Sequence, residues 1–334
     1  MRAAICETYG GPEVLEVTDV PVPQLGPNGV LVRVCAASVN PVDWKLRKGL
    51  LRAVRDVRFP VIWGCDVSGV VDRVGTAITH FRPGDEVYGF KDGYVAKTFR
   101  GTYAEYAVVP EKALALKPAS LDHEQAAAIP CGALTAWQAL VEQGGLQPGQ
   151  RVLVHAGAGG VGIFAIQIAK AFGAVVAATA GSGNQDFLRG LGVDVPIDYT
   201  QEPIERRLSG YDLALDGVGR PVWRSSLRAL KRGGKLITLA PPIPHEPGTK
   251  LHFFATAGTG VTAGSIGALI GGKRLLITQV KPRGGNLEKL NALIEAGKVR
   301  PVIERVFSLD DIADAHRLSE TGHVRGKIVV KIGN

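Results

Sequence analysis

No C-x-x-C pair occurs anywhere in these 334 residues; the four cysteines, Cys6, Cys35, Cys65 and Cys131, are far apart, which suits reduced thiols in a cytoplasmic protein. Basic runs are missing as well. The net charge of +8 is spread along the whole length with no aromatic-interleaved basic patch, so nucleic acid is a poor first guess and attraction for anionic cofactors a better one. The N-terminal stretch MRAAICETYGG lacks the apolar core of a signal peptide, which argues against export. Residues 253–272 lack any charge and are long enough for a membrane span. They hold six glycines, including G-x-x-x-G at Gly260 and Gly264, and few large apolar side chains, so they read as small-residue loop and helix packed on the protein's own sheet. With 46% apolar and 21% charged residues the chain has ordinary globular composition, and its length suits two domains.

What is present begins with glycine. Residues 149–170, GQRVLVHAGAGGVGIFAIQIAK, read as a buried strand over 151–155, a glycine turn, and a helix that opens inside the glycines. Gly157, Gly159 and Gly162 fit G-x-G-x-x-G, with Ala158, Gly160 and Val161 between them. One glycine serves the tight turn, one lets backbone N–H groups approach a pyrophosphate, and one lets the helix pack close to the strand. The pyrophosphate then sits on a helix N-terminus, where unpaired N–H groups and the helix dipole favour an anion.

From residue 151 onward, apolar runs at 151–156, 174–180, 193–198, 211–216, 234–240 and 274–281 alternate with helical segments. Runs without polar alternation suit a parallel sheet covered on both faces, and six of them make a doubly wound α/β sheet. The first 118 residues differ. Their β-branched runs, such as 30–39 and 67–75, are broken by Gly and Pro turns, as in a mostly β domain. After Lys281 come two helical stretches and a closing strand, GKIVVKI, which suit a return to the first domain. The expected division is 1–120 plus 281–334 for the β domain and 121–280 for the inserted cofactor domain.

Seven ordered segments then carry a resemblance: NPVDWKLRKG at 40–49, GCDVSGVVDRVG at 64–75, FRPGDEVYG at 81–89, GTYAEYAVVP at 101–110, ALTAWQAL at 133–140, the glycine loop, and GHVRGKIVV at 322–330. Over essentially its full length the chain resembles the medium-chain dehydrogenase/reductase superfamily, and within it the quinone oxidoreductase (zeta-crystallin-like) and enone or 2-alkenal reductase branch. The resemblance implies a GroES-like β domain, a Rossmann domain inserted in it, and an active site in the cleft where they meet.

The resemblance also bears on metal. Zinc alcohol dehydrogenases of this superfamily hold their ion with a Cys, a His from a G-H-E segment and a second Cys, and those positions fall here on Asn40, Cys65 and Cys131. Asn is a poor zinc ligand and the His is gone. No cysteine lies between Cys65 and Cys131, so the lobe for a structural zinc is missing too. A zinc-free site is expected, while the two thiols leave open a metal, a redox-sensitive dithiol, or small buried residues lining a cleft.

A NAD site places Asp or Glu about twenty residues past the glycine loop, on the ribose 2′-OH. Here residues 179–182 read TAGS and the first acid along the chain is Asp186, which favours NADPH. By resemblance Ser182 and Tyr199 touch the 2′-phosphate. Asn184 stands where many relatives carry Lys or Arg, which loosens that grip.

Without zinc, a donor must meet the negative oxygen that forms when hydride reaches a quinone or the β-carbon of an enone. Asn40 and Lys45 lie in the segment that the resemblance places at the cleft, and Lys45 is the candidate for the oxyanion, against the alternative of a solvated surface lysine. Asp43 is expected to pair with Arg47. Trp44, Trp63 and Tyr88 are candidates for an apolar substrate wall, or simply core. Gly217 and Val218, at the carboxyl end of a strand, border the cofactor, and resemblance places Thr135 near the nicotinamide. The expected activity is zinc-independent, NADPH-dependent reduction of quinones or enones. Its rivals are a zinc alcohol dehydrogenase and a non-enzymatic, crystallin- or RNA-binding-like NADPH binder. The run 274–281, as the last strand of the sheet, is expected to pair with its copy in a homodimer.

Overall fold

The computed structural model describes residues 1–53, 56–92, 100–239 and 271–333. Residues 253–270 of the uncharged stretch fall outside the described residues. Among those described, no helix is long and apolar enough to cross a membrane.

The chain enters through eight strands: β1 Arg2–Cys6, β2 Glu16–Asp19, β3 Gly29–Val39, β4 Val61–Ile62, β5 Asp66–Val74, β6 Glu86–Phe90, β7 Tyr106–Pro110 and β8 Leu114–Leu116. Six more follow: β9 Arg151–Val154, β10 Val175–Ala180, β11 Val195–Asp198, β12 Tyr211–Asp216, β13 Leu230–Thr238 and β14 Arg274–Ile277. Two return late, β15 Ile303–Ser308 and β16 Lys327–Lys331. Two compact units result, one of Met1–Leu134, Lys281–Gly297 and Pro301–Asn334, the other of Thr135–Val280 and Lys298–Arg300. The first division therefore falls at residue 134 rather than 120, because helix His123–Ala127 packs on β3, β5 and β16 of the first unit.

In the first unit the long strand β3 organises the sheet β15-β16-β3-β5-β6-β8. Its first half pairs with β7 and its second half with β16, while β5 runs antiparallel along nearly all of it. Flanked on both edges and covered, it buries Val30, Val32 and Val34 against Val67, Val71, Val87 and Val109. That explains a β-branched run with almost no polar alternation.

The second unit is a parallel sheet in the order β11-β10-β9-β12-β13-β14. The order reverses beside β9, so the crevice outside its carboxyl end is the topological switch point at which such folds take ligands. All six strand runs expected from the sequence are present. β13 starts earlier than its apolar stretch suggests, because Leu230 extends the ladder to Tyr211 through an irregularity.

Candidate functional site

The candidate residues fall into two groups, one in each unit. In the second unit, β9 ends in the glycine loop and helix Gly162–Ala171 begins at its last glycine. A Cβ on Gly162 would stand 2.3 Å from the Ala156 carbonyl oxygen, so only glycine lets the helix start this close to the turn. Ala158 is buried, while Gly159, Gly160 and Val161 are half-exposed. His155 is a structural residue. Its ring bonds Ser226 Oγ at 2.8 Å and Thr179 Oγ1 at 3.3 Å, and burial pushes its pKa down to about 4 against a smaller upward pull from Asp216.

At the end of β12 the buried carboxylate of Asp216 fixes the next loop. One oxygen accepts the N–H groups of Val218 (2.7 Å) and Gly219 (2.8 Å), and the other accepts Trp223 Nε1 and Thr238 Oγ1, both at 2.8 Å. Gly217 and Val218 are thereby presented at the surface from a rigid base. Thr135 is buried in helix Pro130–Trp137.

At the carboxyl ends of β10 and β11 stands an acid that reading along the chain misses. Asp186, the first acid in sequence, is fully solvated and pairs with Arg189. The parallel register instead sets Asp198, the last residue of β11, beside Ala180. Its carboxylate accepts the Ser182 hydroxyl and, on the other oxygen, Thr200 N at 2.9 Å and Thr200 Oγ1 at 2.6 Å. Those bonds, Ser182 first, hold its pKa below the ordinary aspartate value. The Ser182 hydroxyl is thus already committed to a carboxylate. Tyr199 is 61% exposed, with its hydroxyl near Gly181.

In the first unit Asn40 precedes helix Pro41–Arg47, and its backbone N–H donates to Asp43 Oδ2 at 2.8 Å. The expected Asp43–Arg47 pair does not form that way. Asp43 accepts from Asn40 and from the Tyr103 hydroxyl (2.9 Å), while buried Arg47 pairs with Glu320. Both ends of the Asn40 amide point inward: Nδ2 donates to Asp66 Oδ2 (2.9 Å) and to Cys65 Sγ (3.4 Å), and Oδ1 accepts from Lys327 Nζ. Gly64, at φ +95° with no room for a Cβ beside Tyr103, turns the chain so that Cys65 and Asp66 enter this cluster. Ser38 Oγ and Cys131 N complete the donors to Asp66, the latter at 2.7 Å. Burial, then the neighbouring Cys131, Asp43 and Asp66, raise the Cys65 pKa well above the ordinary thiol value. For Lys327 burial acts to strip the proton, but Asp66 and the two thiols outweigh it and its pKa is raised.

Lys45 stands apart from that cluster. It is half-buried, no carboxylate pairs with it among the described residues, and desolvation lowers its pKa. Its Nζ lies 5.4 Å from the centre of the Trp44 ring. The surroundings of Trp63 and Tyr88 favour the packing alternative. Trp63 is fully buried, and the Tyr88 hydroxyl is held by Asn291 Oδ1 and the Leu287 carbonyl of helix Gly284–Glu295.

A β unit organised around one long strand and an inserted doubly wound sheet with a glycine-rich first turn define a class of dinucleotide-dependent oxidoreductases. Family models agree: residues 26–119 match the alcohol dehydrogenase GroES-like domain and residues 191–330 a zinc-binding dehydrogenase domain. The chain is 38% identical to the NADPH-dependent alkenal/one oxidoreductase, chloroplastic, of Arabidopsis thaliana, over 99% of this chain and 79% of that protein. It superposes on the quinone oxidoreductase of Coxiella burnetii with TM-score 0.85, 34% identity and 99% of each chain covered. An NAD-dependent alcohol dehydrogenase structure gives TM-score 0.85 and 36% identity over 100% of both chains. The chain belongs to the medium-chain dehydrogenase/reductase superfamily and has its GroES-like and Rossmann-like architecture.

The family name implies zinc, and the residues here do not fit one. Cys65, Asp66 and Cys131 bring their donor atoms within 4.8 Å of one another, but the group bonded into that set is the ammonium of Lys327. A divalent ion would have to take the Asp66 oxygens from four donors already on them.

Proposed function

We propose that the chain is a zinc-independent reductase that passes hydride from NADPH or NADH to a quinone or to the β-carbon of an enone or alkenal, with the Asp198 carboxylate on Ser182 weakening the preference for NADPH that the sequence suggests. The observation that carries this reading is Lys45, a desolvated amine without a carboxylate partner among the described residues. The alkenal/one oxidoreductase and quinone oxidoreductase relatives support the substrate class. When bound, the dihydronicotinamide supplies the hydride. The glycine loop and the loop held by Asp216 position the dinucleotide, with the pyrophosphate on the helix N-terminus. Lys45 meets the oxygen of the acceptor as it becomes negative, and in a desolvated setting a fixed ammonium stabilises that charge far more than water does.

Turnover of NADPH against panels of quinones and enones tests the substrate class, and inactivity with both overturns it. Lys45→Ala is expected to slow single-turnover hydride transfer roughly a hundredfold, about 3 kcal/mol, with cofactor affinity nearly unchanged. Because the ammonium is the active form, the rate should fall as pH rises through a pKa below the ordinary lysine value of about 10.4. Lys45→Arg should remove that alkaline limb and restore part of the rate. A parent rate in Lys45→Ala leaves the lysine outside the reaction.

A further inference from the structure

Lys327 opens β16 in the interior of the first unit, where an unpaired ammonium would be strongly disfavoured. Its Nζ lies 3.3 Å from Asp66 Oδ2 and is bonded to Asn40 Oδ1. Around the same carboxylate stand the sulfurs of Cys65 and Cys131. Two thiols and a carboxylate are a donor set suited to a soft divalent ion such as zinc. Here the Asp66 carboxylate is already matched by an ammonium. A metal entering beside the ammonium would meet a like charge at short range in a medium of low dielectric constant, and would compete with it for the same carboxylate.

We infer that the Lys327 ammonium is the resident cation of the Cys65–Asp66–Cys131 cluster: it excludes divalent metal from the finished protein, and its removal opens a thiophilic metal site. The inference deepens the zinc-free part of the proposed function and is independent of the substrate. Lys327 is a positioning residue for Asn40 and Asp66.

Cobalt titration tests it, because thiolate ligation to Co²⁺ gives an intense charge-transfer absorption that carboxylate ligation does not. The parent should show no such band. Lys327→Ala should take up one cobalt per chain with the band present, and adding Cys131→Ser should abolish it. Lys327→Gln, which keeps a donor to Asn40 without the charge, serves where the alanine variant folds poorly. For either variant zinc should raise Tm while leaving the parent's unchanged, since metal binding at such a site contributes directly to folding. A thiolate band in the parent overturns both this inference and the zinc-free reading. Folded variants that take up no metal, beside a metal-free parent, overturn this inference alone.

Discussion

Asp198 is expected to act on cofactor choice through its hydrogen bond with Ser182. Its carboxylate holds the Ser182 hydroxyl, so a 2′-phosphate arriving there meets a negative charge, whereas a 2′-hydroxyl meets an acceptor. Asp198→Asn is therefore expected to move the ratio of kcat/KM for NADPH over NADH upward by roughly tenfold, about 1.4 kcal/mol. Dinucleotide kinetics with one saturating acceptor measure it, and an unchanged ratio removes Asp198 from the ribose site. The resemblance pointed to Ser182 and Tyr199, while Asp198 was passed over because the rule counts residues from the glycine loop along one strand. What brings the acid in is the neighbouring strand, through the parallel register of Ala180 with Asp198.

Among elements, β14 ends the strand order of the second sheet, and Ile277 at its end is 40% exposed. A parallel edge of this kind presents unpaired backbone groups, and pairing with a second copy across a two-fold axis satisfies them. A dimer at micromolar concentration is the expected result of sedimentation, with Ile277→Lys shifting it toward monomer by placing like charges near the axis. A monomeric parent would exclude the pairing. The strands of this sheet were legible because a buried parallel strand is an uninterrupted apolar run. The Lys327 cluster was not: a lysine at the head of GKIVVKI looks like an exposed strand end, and its burial is decided by Asp66 and Asn40, which are remote in sequence. Asn40 itself was legible as a departure from a metal ligand, but not its bond to a cation.

For the molecule as a whole, each unit contains a histidine held neutral. His155 in the second has its pKa pushed down to about 4, and His316 in the first, packed edge-on to Tyr103, to about 3 by burial and then by Arg47. Unfolding frees both to take a proton near pH 6.5. Below that value the unfolded state binds more protons than the folded one, so stability is full above about pH 6.5 and declines toward pH 4. The His155 contribution amounts to about 3 kcal/mol across that window. Denaturant melts at stepped pH should show the decline, and His155→Gln should flatten it; an equal slope in the variant would assign the acid sensitivity elsewhere.

The pairing of β3 with β16 also imposes a timetable. Asn40 and Lys327 are 287 residues apart, and at roughly 5–20 residues per second a ribosome takes roughly 15 to 60 s to make the second after the first. The contiguous sheet β9–β14 has all its strands well before then, so it can close while β3 still has a bare edge. Until β16 is made, the thiols of Cys65 and Cys131 and the Asp66 carboxylate are without their ammonium. If the Lys327 ammonium keeps metal out of the finished protein, the nascent chain is the stage at which a soft metal ion would compete for this cluster, and completion of β16 would end the contest.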